Sequence, residues 1–173
     1  MIQAPLSIQR SCHIPVNVSE CFSAFIGLNP QEYIHHDAII APITAIDRPG
    51  GHSFTEIGDE QFIDFKGGFR IREELLAFVK DRQFVYRGTG FTQPLLTWLD
   101  HAKGSFEFEA EGEGTRLTWR YTFYLKGALG NAVRRAVFNT VIVNFIWDRM
   151  MTRTLSNLTQ IITLRTLNTG RTE

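Results

Sequence analysis

Residues 105–125 read SFEFEAEGEGTRLTWRYTFYL, and the alternation in this stretch decides the fold class. Phe106, Phe108 and Ala110 share one phase, and Ser105, Glu107 and Glu109 the other. Beyond Gly112-Glu113-Gly114 the alternation resumes. Leu117, Trp119, Tyr121, Phe123 and Leu125 fall on one face, and Arg116, Thr118, Arg120, Thr122 and Tyr124 on the opposite one. A strand turns successive side chains to opposite faces, so two alternating runs around a glycine-rich turn predict a β-hairpin. One apolar face and one polar face predict a sheet that is wet on one side only.

Upstream, the same reading gives a first strand over Ser7–Ile14, ended by Pro15. Asn17 or Ser19 caps a short helix over Glu20–Ile26 that stops at Gly27, and Asn29-Pro30 starts a second one through Tyr33 and Ile34. Strands are expected over Ile39–Asp47, His52–Ile57, Glu60–Phe65, Phe69–Val79 and Gln83–Gly88. The segment Phe91–Leu99 is a loop or irregular edge, because Pro94 has no N–H for a ladder.

Downstream, residues Asn131–Asn168 contain neither Gly nor Pro, which predicts a helix of roughly 30 residues, about 45 Å long. Its apolar stripe runs through Val133, Val137, Val141, Asn144, Asp148, Met151, Leu155, Leu158 and Ile162, in steps of three or four. A rival phase puts Phe138, Ile142 and Phe145 on the sheet and turns Asp148 toward solvent; the two differ by roughly a third of a turn.

Composition sets limits on function. The 173 residues fit a single domain, 1–173, with an ordinary hydrophobic share and Phe used 14 times. Formal net charge is zero, which speaks against a nucleic-acid binder, since phosphate contacts need a basic surplus. The charge is uneven, with a surplus of +5 from Lys126 onward. Arg134-Arg135 opposes the helix dipole there, and reads either as a pocket-mouth feature facing an anionic ligand or as a solvated face. The apolar run Ala136–Trp147 is too short to span a membrane. Met1–Pro15 lacks the charged start and apolar run of a secretory leader, and Cys12 and Cys21 make no disulfide framework, so a reducing cytoplasm is expected. His35-His36-Asp37 is a lone cluster without metal-ligand spacing; neither a metal nor a cofactor is expected.

Strand, two short helices, a run of strands and one long helix together resemble the helix-grip fold. This is the SRPBCC superfamily of START lipid-transfer domains, the major birch pollen allergen and polyketide cyclase/dehydrase-like proteins. The local likeness lies in Gln9–Pro15 with the following Val18–Phe25, in Phe69–Tyr86 with Glu73 and Glu74, and in Gly114-Thr115-Arg116-Leu117-Thr118-Trp119. It extends over nearly the whole chain. The resemblance implies an α+β fold, a curved antiparallel sheet wrapped around the C-terminal helix, with a pocket between them. It does not imply one reaction.

On this reading Tyr86, Phe106, Phe108, Trp119 and Tyr121 form the pocket wall. Three polar residues fall on the same faces. Asn144 and Asp148 lie one turn apart on the helix stripe, and Glu73 alternates in phase with Phe69, Ile71, Leu75 and Ala77. A carboxylate facing a core costs several kcal/mol unless it is paired or wet. Either these groups meet a ligand, or Asp148 pairs with Arg149 or Arg153 at the surface and a bulge turns Glu73 outward. The first functional expectation is a binding or transport protein for a hydrophobic or amphipathic small molecule, lipid-, polyketide- or aromatic-like. The second is an enzyme of the cyclase/aromatase type with Asp148 or Glu73 as general acid or base. The third is an interaction module using the flank around Phe138 and Phe145. A homodimer is compatible with all three.

Overall fold

The hairpin forms with the expected faces. The computed structural model describes residues 4–51, 53–94, 96–127 and 132–169. In it Phe106 pairs across strands with Trp119, and Phe108 with Leu117. Glu111 pairs with Gly114, leaving a two-residue turn that starts at Gly112 with φ 61°. Type II′ turns need positive φ at that first position, which glycine adopts without strain. The two arms, β6 (Leu99–Glu111) and β7 (Gly114–Leu125), are the longest strands of the sheet.

Five further strands extend it: β1 (Leu6–Ile14), β2 (Ile43–Asp47), β3 (Glu60–Phe65), β4 (Phe69–Val79) and β5 (Gln83–Thr89). The order is β1-β7-β6-β5-β4-β3-β2, antiparallel throughout. Helix α1 (Val18–Ile26) is capped by Asn17, whose Oδ1 accepts the Glu20 N–H at 3.1 Å. In α2 (Pro30–Tyr33) Glu32 reaches back to the Asn29 N–H at 2.8 Å. The C-terminal helix is continuous: α3 (Ala132–Val137), a π-helical segment (Phe138–Trp147) and α4 (Asp148–Thr169). It grips the apolar sheet face, with α4 packed on β1, α1 and α2. Phe138 and Trp147 meet Phe123 and Tyr121 of β7. None of the helices formed by the described residues is long and apolar enough to cross a membrane.

Two expected strands are shortened or lost for one reason. The strand expected over Ile39–Asp47 begins at Ile43, because Asp37 Oδ1 takes the N–H groups of Ile39 and Ile40 at 2.8 and 3.0 Å. No strand forms over residues 53–57, where Asp59 Oδ2 takes the N–H groups of Thr55 and Glu56 at 2.9 and 2.7 Å. A carboxylate that binds consecutive amides offers the backbone an alternative to a ladder. His52 and Asn131 lie outside the described residues.

The helix stripe is corrected as well. Met151, Leu155, Leu158 and Ile162 are buried as expected, but Val133, Val137, Val141 and Asn144 are exposed. The rival phase is only partly right, since Phe138 and Ile142 are buried while Phe145 is exposed. The π-helical segment accounts for both departures. It advances about 13° less per residue than an α-helix, so ten residues rotate the contact face by roughly 130°. The buried face steps from Ile142 to Trp147, five residues, before resuming steps of four.

Candidate functional site

β4 brings a carboxyl group inside the fold. Ile71 and Leu75 are buried on the inner face, and Glu73 lies between them in the same phase. The β4–β5 bulge falls between Leu75 and Ala77, after Glu73, so it leaves Glu73 pointing inward. Its effect is on the next residues, where Phe78, not Ala77, packs against the core. Gln61 is the cross-strand partner of Glu73 and is also inward. Its amide Nε2 donates to Glu73 Oε2 at 2.8 Å, and its Oε1 accepts from Arg48 Nε at 3.1 Å.

Glu73 and Gln61 stand in the wall of a cavity of about 200 Å³ between the sheet and the C-terminal helix. Tyr86, Phe106, Trp119 and Tyr121 line it as the hairpin reading required, with Trp147 and Met150 from the helix. Tyr86 can lie across β6 because residue 104 is glycine. A Cβ there would sit 2.2 Å from Tyr86 Cζ.

The remaining expected site residues fall elsewhere. Phe108 is buried beside the cavity rather than in its wall, packed on Phe22 at 5.1 Å and Phe25 at 5.3 Å. Asn144 is exposed, and Asp148 sits outside the cavity in an ion pair with Arg10 of β1, not with Arg149 or Arg153. Arg134 and Arg135 do not line the cavity either. The ion pair is half-exposed and worth at most about 1 kcal/mol. Asp148→Asn is therefore expected to leave the titration of an apolar fluorescent probe unchanged across pH 4 to 8. A shifted titration would return Asp148 to the site.

Three contributors escaped the sequence reading. Tyr33 arrives from the four-residue α2 and Arg48 from the turn after β2, and neither carries a periodic signal. Gln61 did carry one, as the polar member of the inward series Gln61, Ile63, Phe65.

Burial pushes the Glu73 carboxyl up to about 7, against a smaller lowering by the Gln61 amide. Glu73 lines the cavity. Burial also raises the phenols of Tyr33 and Tyr121, with Glu73 the next cause; at Tyr86 burial is followed by Tyr121 and then Glu73. The three phenols and the carboxyl are thus near enough to affect one another. Tyr33, Tyr86 and Tyr121 are only 7%, 7% and 5% exposed; the Tyr33 and Tyr121 hydroxyls form no hydrogen bond among the described residues, and the Tyr86 oxygen has only the Trp119 N–H beside it. The Trp119 N–H approaches the Tyr86 oxygen, lowering its pKa slightly, without closing a bond. No group of three His, Cys, Asp or Glu among the described residues could hold a metal ion. The arrangement can hold a molecule by apolar contact and offer it four hydrogen-bonding groups.

Comparison with known proteins agrees with this architecture. A solved structure, described as the crystal structure of Ara h 8.0201, superimposes with a TM-score of 0.60 at 16% identity, covering 92% of this chain and 98% of that one. At that identity the likeness shows the fold alone. Solved chains matching the fold number 246, so the fold by itself selects no function. No curated protein matches the sequence. The family model described as "Polyketide cyclase / dehydrase and lipid transport" matches residues 42–162, from the start of β2 into α4 and including every strand of the cavity wall. The chain belongs to this polyketide cyclase / dehydrase and lipid transport family.

Proposed function

We propose that the protein binds or transports a hydrophobic or amphipathic small molecule in the cavity between sheet and C-terminal helix. The observation that carries this reading is the set of three nearly buried tyrosines that line a mostly apolar wall beside Glu73 and Gln61. Buried polar groups are nearly always hydrogen-bonded, and each one left bare costs about 1–3 kcal/mol. A ligand or water must complete them. The wall combines mostly apolar surface with a few convergent polar groups, as small-molecule sites do.

Gly104→Ala tests the reading by displacing Tyr86, one of the three phenols of the wall. The added Cβ would sit 2.2 Å from Tyr86 Cζ, so the ring has to leave its place in the wall. Wild type should bind a neutral fluorescent probe of the cavity's size, such as 1-aminonaphthalene, saturably at one site. The variant should stay folded and lose about tenfold or more in affinity. Non-saturable binding in wild type, or equal affinity in a folded variant, would overturn the assignment. Native mass spectrometry of gently purified protein should show a retained small molecule.

A second reading rests on Glu73. A carboxyl that burial raises to about 7, in the wall of the cavity, would suit a general acid or base near neutral pH. This supports a cyclase/aromatase-type enzyme as the alternative. Asp148, ion-paired outside the cavity, is not a partner in it.

A further inference from the structure

On the reading that the cavity binds a small molecule, we propose that its ligand is an uncharged ring compound of about a dozen non-hydrogen atoms, bearing at least two hydroxyl or carbonyl oxygens that bond Tyr86, Tyr121 and Glu73. Size follows from volume. A water needs roughly 10–15 Å³ of such space, so about 200 Å³ accommodates on the order of a dozen heavy atoms. Ring character follows from the wall. Tyr86, Phe106, Trp119, Tyr121 and Trp147 present aromatic surface, against which a flat molecule buries the most area.

The number of polar groups follows from what the protein leaves bare. Glu73 Oε2 is taken by Gln61, while Oε1 has no hydrogen-bond partner among the described residues. Tyr86 and Tyr121 line the same cavity with their rings 6.4 Å apart, and the Tyr121 hydroxyl has no hydrogen-bond partner among the described residues. A purely apolar ligand would displace water from these groups and leave them unsatisfied, losing the completed bonds.

Neutrality follows from the charges in the wall. Arg48 and Glu73 are the two charged residues among those lining the cavity. Gln61 stands between them, and Arg48 is spent on Gln61 Oε1 at 3.1 Å and Asn29 Oδ1 at 3.4 Å. An anionic ligand end beside the phenols would meet the Glu73 carboxyl with no cation bonded to it. A cation there would be attracted by an ionised Glu73, but it would satisfy neither phenol as donor. A neutral hydroxyl or carbonyl oxygen accepts from the phenols, and a hydroxyl also donates to Glu73.

Isothermal titration of one ring in four forms tests this: naphthalene, dihydroxynaphthalene, naphthoate and naphthylmethylammonium. Dihydroxynaphthalene should bind about tenfold or more tighter than naphthalene, and both charged forms should bind more weakly than the diol. Tyr86→Phe and Tyr121→Phe should each cost the diol about fivefold or more while leaving naphthalene affinity within about twofold, which separates lost hydrogen bonds from disturbed packing. Equal affinities for naphthalene and the diol would overturn the ligand class and leave a plain apolar cavity. Tightest binding of naphthoate or of the ammonium form would overturn it in favour of a charged ligand. Failure of all four to bind would remove the binding function itself.

Discussion

Trp119→Ala should lower stability by about 3–5 kcal/mol, the range for removing a large aromatic from a packed core. Trp119 is 1% exposed and stacks on its cross-strand partner Phe106 at 4.9 Å and 16°. It also meets Tyr121 edge-on at 6.2 Å. Phe106 in turn lies 4.8 Å from Phe25 of α1, so the indole sits between the sheet and the helical layer. Its removal enlarges a space that already borders the cavity, and the neighbours have little freedom to collapse into it. Urea denaturation with an unchanged slope would measure the loss. A cost below about 1 kcal/mol would show that this face does not carry the core.

Glu73→Gln should change how stability depends on pH. The fold raises the carboxyl pKa from its ordinary 4.5 to about 7 by burying it. The native state therefore holds this proton more tightly than the unfolded chain does. Stability from this group is fully present below about pH 4.5 and is lost as pH rises through 7, because charging the group in place is opposed by its surroundings. At 1.36 kcal/mol per unit, the loss approaches about 3 kcal/mol by pH 8. The variant has no such slope and should be more stable than wild type at pH 8 by a large part of that amount. Near pH 4.5 the advantage should vanish. The partly exposed carboxylates Glu60, Asp64 and Glu111 are held low by Arg72, Arg70 and Arg116 and act in the opposite direction at lower pH. They cancel in the difference between the two proteins. Denaturation curves for both at pH 5, 6, 7 and 8 would show it, and parallel pH profiles would mean that Glu73 is not a buried, shifted group.

The two predictions mark how far the sequence could be read. Trp119 and Glu73 both lie on long alternating strands, where a side chain's direction follows from period two once a single neighbour is placed. The hairpin, the sheet behind it, four of the five aromatics expected in the wall and the inward carboxyl were legible on that ground. So was the buried face of α4, where steps of three or four through Met151, Leu155, Leu158 and Ile162 hold without interruption.

What the alternation could not reach was decided by contacts distant in sequence or by backbone choices that leave no period. Asp37 and Asp59 ended strands by binding amides two to four residues away along the chain. Asn144 and Asp148 left the pocket because residues 138–147 wind as a π-helix, and the extra residue per turn carried the apolar face around to Trp147. Tyr33 entered the site from a four-residue helix and Arg48 from the turn after β2, both too short for a periodic pattern. Local periodicity determines which way a side chain leaves its own strand or regular helix. Which of those side chains converge on one cavity depends on how the elements are packed together, and that information is held only in the tertiary structure.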